Sequence, residues 1–588
     1  MFGSSAQQRA RTLMLLGLCV SVFFVYATNL QNPLFWDDTD WIVNNPAVHS
    51  ISWDTIRFWF SHNTLAGVGL QSNYYRPFLF FTFAINYVLH GIAPLGYHLI
   101  NNLLHIANVV FVFLLLERAF KQRFIPFVVA AIFGLHPLQT EAITYVAGRG
   151  DPLHVFGMLA ALWMVLKAHE THARHWYIGA MVASALALLS RETAVIFPLL
   201  ASVYFLSFVV IGTVRQAIMS TARYLWPFFG ISLVYGILRL TILNFENTLN
   251  FFAHSNPYTE SIFVRLMTFA SLLTEYASML VMPLGLHMER SAVVYTNLFQ
   301  VPVLAPVLIL GVLVGALIVF VRRMRFVEEG RPRGAHILFF ALGWFFSCMA
   351  LTSGITPVNA LIYEHWLYLA MVGPLTAVAW LAWRAWERNA FAWVRPLFGI
   401  AFAAVLIAFS ILSIQRNRLW GDSLAFYLDI LRYEPQSARI NNNVGNIYYD
   451  RGEYARAEEY YWKAVAAEDT FPQPHYNIGS ILLARNDVYG ARIEFEKAIA
   501  IDPAFPYAYE GLASIAAKEG DLVLARTMIQ KWVELLPSHP IGYLNLGRVE
   551  AKIGNNAEAR AALEKGIQLA APGSDIRALL EKELSSLE

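Results

Sequence analysis

Two cysteines in 588 residues, Cys19 and Cys348, both lie inside apolar runs and give no basis for a disulfide framework or a zinc–thiolate site. Charge is equally scarce. Asp, Glu, Lys and Arg make up 14% of the chain and sum to +2, so the global basic field of a nucleic-acid-binding protein is missing. No asparagine opens an Asn-x-Ser/Thr acceptor, which leans towards a bacterial membrane over the secretory pathway. The first apolar run, Leu13 to Leu30, follows Arg9 and Arg11 and lacks a small-residue cleavage site, so it is expected to stay as a signal anchor. What the chain has in quantity is apolar surface: 57% apolar residues and a mean hydropathy of +0.47.

That surface comes in runs long enough to cross a hydrocarbon core of about 30 Å. After the first run, spans are predicted near 94–117, 124–140, 152–168, 175–190, 193–212, 222–243, 299–321, 336–352, 364–383 and 396–414. Basic residues in short loops orient them. Arg118, Lys121 and Arg123 mark one cytoplasmic loop, Lys167 and Arg174 a second, and Arg215 and Arg223 a third. Arg322, Arg323, Arg325, Arg331 and Arg333 mark the strongest, and Arg384, Arg388 and Arg395 the last. Counting 265–283 as a full crossing would turn the strongest basic loop outward, so that segment is predicted to be re-entrant or interfacial. The expectation is an all-α chain with a polytopic membrane domain of about 11 transmembrane helices and its C-terminal region outside. Between the first two spans lies an outer loop, 31–93. It holds a short aromatic helix, Ser52 to Ser61, suited to the interface, and a Phe-rich helix opened by Pro77.

Ionisable residues gather at the predicted outer ends of the spans. Asp37 and Asp38 follow the first run. Arg76 opens the Phe-rich helix. His136, Glu141, Arg149 and Asp151 fall in one loop, Arg191 and Glu192 in another, and Glu364 and His365 open the penultimate span. Scattered helix-end charges would appear on both faces, whereas a one-sided set of acids, arginines and histidines describes an aqueous site within a membrane domain. Such a set suits transfer of a sugar from a phosphate-linked lipid to a hydroxyl. One carboxylate supplies a base, and fixed cations meet the charge that develops on the leaving phosphate. Arg76, Arg149 and Arg191 are the candidate phosphate ligands, with His365 a weaker fourth. Pairing of Glu141 with Arg149, and of Arg191 with Glu192 or Glu364, is the structural alternative for these residues. His136 and Glu141 alone make a weak metal-ligand set, so any divalent metal is left unknown.

Near Trp420 the composition becomes that of a soluble domain. Gly445, Gly479, Ala513 and Gly547 recur every 34 residues, as do Ala457, Ala491, Ala525 and Ala559, the period of tetratricopeptide repeats. Residues 1–418 are thus expected to form the membrane domain, 419–437 a linker or entry helix, 438–571 four repeats in an α-solenoid, and 572–588 a capping helix. Asn443, Asn477 and Asn545 share one position of the first helix of their repeats, facing the groove. Their amides can bind an extended peptide, although asparagine is also the ordinary residue there.

The motifs F-W-D-D-T-D-W-I-V-N-N (35–45), Y-Y-R-P-F (74–78), H-P-L-Q-T-E-A-I-T-Y-V-A-G-R-G-D (136–151), S-R-E-T-A (190–194) and Y-E-H-W-L-Y-L (363–369) together resemble the transmembrane and tetratricopeptide-repeat O-mannosyltransferases, polytopic glycosyltransferases of the GT-C type. The resemblance implies a polyprenyl-phosphate-linked sugar donor, mannose in eukaryotic members, and protein Ser/Thr acceptors on the outer or lumenal face. It implies a catalytic role for the Asp37–Asp38 pair, with Asp37 favoured as base and Asp38 orienting the acceptor or binding a cation. His136, Glu141, Asp151, Glu192 and Glu364 support the site. The family tends to carry lysine where Arg191 stands and arginine where His365 stands. The implied partners are a membrane lipid-linked sugar and a protein acceptor held by the repeats, with no nucleic acid. The implied location is a bacterial inner membrane with periplasmic repeats, or the endoplasmic reticulum membrane in a eukaryote. An envelope-polysaccharide ligase or polymerase, and a non-enzymatic membrane-anchored scaffold, are the rival readings. The topology predicts that a reporter fused after Arg333 is silent on the outer side of the membrane; activity there would overturn it.

Overall fold

The computed structural model describes residues 5–68, 72–210, 213–245, 256–323, 332, 334–355, 360–388, 394–570 and 575–587. Among them the chain is helical, with no strand. It divides into two compact units, Met1–Ser423 and Leu424–Glu588.

In the first unit, α1 (Ser5–Tyr26) is followed by α2 (Trp53–Ser61), α3 (Pro77–His90), α4 (Pro94–Phe120), α5 (Phe124–Leu135) and α6 (Gln139–Thr144). Next come α7 (Gly150–Thr171), α8 (Arg174–Ser190), α9 (Phe197–Phe208), α10 (Val214–Leu240), α11 (Pro257–Glu260) and α12 (Ile262–Val281). The unit ends with α13 (Val301–Arg323), α14 (Gly334–Met349), α15 (Leu367–Ala370), α16 (Val372–Arg388) and α17 (Val394–Leu419). Local chemistry sets several of these boundaries. Pro77 and Pro94 occupy first-turn positions, where no amide donor is needed. Ser52 and Thr55 form a reciprocal capping box that starts α2. On α2, Trp53 is 81% exposed, while Trp59 is buried and donates to the Ala47 carbonyl at 2.8 Å.

Small residues let these helices approach closely, the usual device where lipid supplies no hydrophobic drive between helices. A Cβ on Gly134 of α5 would stand 2.7 Å from Val22 of α1 and 3.0 Å from Val109 of α4. One on Gly157 of α7 would stand 2.9 Å from Ala187 of α8, and one on Gly373 of α16 would stand 2.6 Å from the Ala341 carbonyl of α14.

Gln7–Asn29, Pro94–Phe120, Ala147–Thr171, Val301–Val319 and Pro396–Leu419 are long and apolar enough to cross a membrane by length and composition. Glu364–Ala370 and Val372–Arg388, bent by 55°, would make one more. Every predicted span coincides with a helix among the described residues, but there length and composition alone do not bring the count to about 11. α5 has 12 residues, about 18 Å against a core of about 30 Å. The segment predicted to be re-entrant or interfacial is α12, a 20-residue helix. Its buried Arg265 donates to the carbonyls of Gly354, Tyr258 and Thr259. Arg325, Arg331 and Arg333 of the predicted basic loop lie outside the described residues.

The second unit holds α18 (Ser423–Tyr433) and four helix pairs: α19 (Ala438–Asp450) with α20 (Tyr454–Ala467), α21 (Pro472–Ala484) with α22 (Val488–Ile501), α23 (Pro506–Glu519) with α24 (Leu522–Leu535), and α25 (Pro540–Ile553) with α26 (Asn556–Leu569). α27 (Asp575–Ser585) closes the array, its buried Leu580 packing on Leu544 and Leu563. The junction at 571–574 lies outside the described residues. The 34-residue period has a steric origin. A Cβ on Gly445 would lie 2.4 Å from the Tyr461 ring, one on Gly479 2.7 Å from the Phe495 ring, and one on Gly547 2.6 Å from Leu563. Adding branched bulk there forces buried rings apart, so Gly479→Val is expected to destabilise the repeats by about 1–3 kcal/mol, read as a lower melting temperature of the repeat signal in circular dichroism.

Candidate active site

The acidic stretch leaves α1 through a buried amide network. The Asn29 amide donates to Asn102 Oδ1 (3.2 Å) and Thr144 Oγ1 (3.1 Å), and Asn102 donates back to Asn29 Oδ1 at 3.0 Å. The Thr144 hydroxyl donates to Asn417 Oδ1, and Asn417 donates to the Val25 carbonyl at 3.0 Å. Asn32 Nδ2 reaches the Asn417 carbonyl at 2.7 Å. One network therefore ties the end of α1 to α4, α6 and α17.

Beyond it, Trp36 has φ 61°, a conformation that a bulky L-residue adopts at a cost and that clusters at functional sites. Asp37 follows, half-buried. Asp38 is 2% exposed; its Oδ1 accepts from the Ala147 amide at 2.6 Å and its Oδ2 from the Phe35 amide at 3.4 Å. Thr39–Val43 is a single π-helical turn, whose Trp41 ring stacks on Phe80 at 6.1 Å. The expectation that Asp38 meets acceptor or cation does not match this placement, because the carboxyl is sealed against the 147–149 turn. Burial, with a smaller contribution from the Asp37 charge, pushes the Asp38 carboxyl up to about 8 despite the two amides and Arg149. Burial and then the Asp37 charge also raise Asp40 above the usual carboxylate range.

Arg76 is buried between aromatic rings, 4.5 Å from Tyr74 and 5.6 Å from Trp41, and donates through Nε to Glu192 Oε2 at 3.0 Å. The other Glu192 oxygen accepts from the Tyr75 amide at 2.8 Å, so Glu192 anchors the start of α3. Arg149 is fully enclosed. Its Nε donates to Asn101 Oδ1 (2.7 Å), Nη1 to Thr82 (3.2 Å to its carbonyl) and Nη2 to the Tyr97 carbonyl (3.1 Å), with the Phe83 ring at 4.6 Å. The expectation of a phosphate contact from Arg149 does not fit these bonds: all three nitrogens are engaged away from solvent. Its alternative pairing with Glu141 is also not made, since Glu141 meets His365.

Asp151, His154, Arg191, Thr193, His365 and Tyr368 face one another around a cavity of about 40 Å³, with Cys348, Thr352, Trp366 and apolar residues completing its wall. Arg191 pairs with Asp151. His154 donates from Nδ1 to the Gly150 carbonyl (2.6 Å) and meets the Thr193 hydroxyl through Nε2 (3.2 Å). Glu141, 1% exposed, holds His365 Nδ1 at 2.6 Å and the His365 amide at 3.3 Å. The Tyr368 hydroxyl is held behind the cavity by His105 (2.8 Å) and Asn108 (3.1 Å).

Glu364 is fully buried between two arginines that the motifs did not single out. Arg290 Nη2 reaches its Oε1 at 3.0 Å, and Arg416 Nη1 its Oε2 at 2.7 Å. Arg290 also meets Glu275 at 3.1 Å, and Arg416 the Pro137 carbonyl at 3.0 Å. Arg416 had one sequence signal, a basic residue at the predicted outer end of the final span, against the loop-charge bias; Arg290 had none. His136 is buried. Its Nδ1 accepts from the Leu138 amide and its Nε2 donates to the Leu280 carbonyl at 3.2 Å, which ties the loop to α12. Among the described residues, no group of three or more His, Cys, Asp and Glu gathers in a way that could hold a metal.

In the repeats, Asn443, Asn477 and Asn545 are half-buried on α19, α21 and α25. Asn477 donates to Asn442 (2.9 Å) and Asn446 (3.1 Å), joining two repeats, while the third position in this register is Gly511.

These features define an α-helical, polytopic membrane protein with an appended tetratricopeptide solenoid. A family model described as dolichyl-phosphate-mannose-protein mannosyltransferase matches residues 77–237. Tetratricopeptide-repeat models match 438–468, 476–540 and 542–572. A protein O-mannosyl-transferase of Caenorhabditis elegans is 28% identical over 462 residues, 76% of this chain and 62% of the relative. The protein O-mannosyl-transferase TMTC1 of Homo sapiens is 30% identical over 222 residues, 37% of this chain and 22% of the relative. Tmtc3 of Drosophila melanogaster is 24% identical over 536 residues, 79% of this chain and 56% of the relative. The chain is similar to the transmembrane and tetratricopeptide-repeat O-mannosyltransferases, and spans less than two thirds of the length of these relatives.

Asp38 offers a check on the geometry. Its raised folded-state value means that the folded chain keeps a proton that the unfolded chain has lost, so its contribution is complete below about pH 4 and declines as pH rises towards 8. Asp38→Asn, which keeps an acceptor for Ala147, is expected to flatten that decline. The effect is on the order of a few kcal/mol and is measured as apparent melting temperature against pH.

Proposed function

We propose that this chain transfers a sugar, mannose or a similar hexose, from a polyprenyl-phosphate donor to a hydroxyl of a protein acceptor. The observation that carries the reading is the cavity lined by Asp151, His154, Arg191 and His365, a polar space inside an otherwise apolar bundle. In the proposed step the acceptor oxygen attacks the anomeric carbon. The bond from that carbon to the phosphate oxygen breaks, its electron pair leaves on the phosphate, and the acceptor proton passes to the Asp37 carboxylate. Asp37 suits the base role because it is half-buried and follows the strained Trp36, while Asp38 is sealed away. Arg191, Arg76 and His365 meet the donor phosphate with charge-assisted hydrogen bonds, and Asp151 holds the Arg191 fork. Arg149, Asp38, Glu192, Glu364 and His136 position the loops that carry them.

The repeats bind an extended acceptor segment through Asn443, Asn477 and Asn545. The loop charges put the repeats on the outer face, and the lack of Asn-x-Ser/Thr acceptors favours a bacterial inner membrane with the repeats periplasmic. With membranes supplied with labelled polyprenyl-phosphate mannose, Asp37→Asn is expected to lower transfer by about 10²–10⁴-fold. Undiminished transfer would remove Asp37 from the base role.

A further inference from the structure

We propose that Glu141 is a positioning residue that fixes the His365 ring so that only its protonated form serves the donor phosphate; this rests on the donor-site reading above. One Glu141 carboxylate grips His365 twice, at Nδ1 (2.6 Å) and at the backbone amide (3.3 Å). The preceding residue, Glu364, is itself clamped between Arg290 and Arg416. The segment therefore cannot turn the ring without breaking contacts on α6, on α17 and in the loop after α12.

An ionised carboxylate only accepts hydrogen bonds, so this geometry assigns the Nδ1 proton to the bond with Glu141. His365 lines the cavity, and Nε2 is the nitrogen left to meet a ligand. A neutral ring with its proton on Nδ1 presents a lone pair at Nε2, which repels a phosphate oxygen. The imidazolium presents an N–H there, which binds one. Donor binding at this position thus takes up one proton, a dependence that an arginine would not show.

The charged and titratable groups around the ring are Glu141 on α6, Asp151 and His154 on α7, Arg191 after α8, Cys348 on α14, Tyr368 on α15, and Tyr363 and Glu364 in its own segment. Three of them are already engaged: Asp151 with Arg191, and His154 at both nitrogens. His365 is therefore the group whose proton state changes what the cavity offers.

The test measures binding to the whole 588-residue chain in detergent between pH 5.5 and 8.5. The probe is a short-chain prenyl phosphodiester of mannose, which stays singly charged across that range. Wild-type affinity is expected to fall about tenfold from pH 6 to pH 8. H365R should bind with little dependence on pH, and H365Q weakly throughout. E141Q, whose amide can donate as well as accept and so no longer fixes the proton on Nδ1, should flatten the dependence on pH. Equal pH profiles for wild type and H365R would overturn the positioning proposal while leaving the donor site standing. Absence of probe binding to wild type at every pH would overturn the donor-site reading itself.

Discussion

An ionised side chain inside an apolar helical bundle persists only where a counter-charge or several hydrogen-bond donors replace its water. In this protein that requirement organises the polar end of the first unit. Glu364 is met by Arg290 and Arg416, Glu192 by Arg76 and a backbone amide, Asp151 by Arg191, and Glu141 by His365. Each pair joins elements distant in sequence, so the pairs act as staples between helix ends. Removing one member of a buried pair costs about 3–5 kcal/mol. The arrangement is better understood as fixing the relative placement of loops than as a net source of stability.

The same constraint separates positioning residues from presented ones. Arg149 and Asp38 are enclosed, and their hydrogen bonds go to Asn101, Thr82, Tyr97 and the 147–149 turn. Arg191 and His365 each keep part of their surface on a cavity. Around them a frame is supplied by neutral amides and a hydroxyl: Asn29, Asn102, Thr144 and Asn417 lock the exit of α1 without introducing charge. A strained residue such as Trp36 is tolerable only beside a frame that over-determines its backbone, which is what allows Asp37 to be held next to it.

In the second unit the organising constraint is steric. Helices within a pair approach closely at Gly445, Gly479 and Gly547 because an aromatic or leucine side chain of the partner helix fills the space where a Cβ would stand. Stacking then buries successive clusters of apolar residues, the last of them closed by α27. The asparagines of the groove partly bond to one another between repeats, so Asn477 contributes to the register of the array as well as to its inner surface.

The sequence by itself determined the features that depend on short-range periodicity. The apolar runs became helices, Pro77 opened α3, and the small residues at 34-residue spacing became helix-pair contacts. It also collected the acids and cations of the site, because polar residues at helix ends stand out against an apolar background. Only the tertiary structure decided which charge meets which. Glu141 and His365 lie 224 residues apart, Tyr75 and Glu192 117, and Arg290 and Glu364 74, separations over which no local pattern carries pairing information. For that reason the sequence does not join Arg290 and Arg416 to Glu364, nor show that Arg149 and Asp38 are enclosed. The length of a hydrophobic run likewise anticipated a helix but not whether it is long enough to cross a bilayer, as the 12-residue α5 demonstrates. Burial and pairing are properties of the packed bundle, and a linear pattern records the need for a partner without naming it.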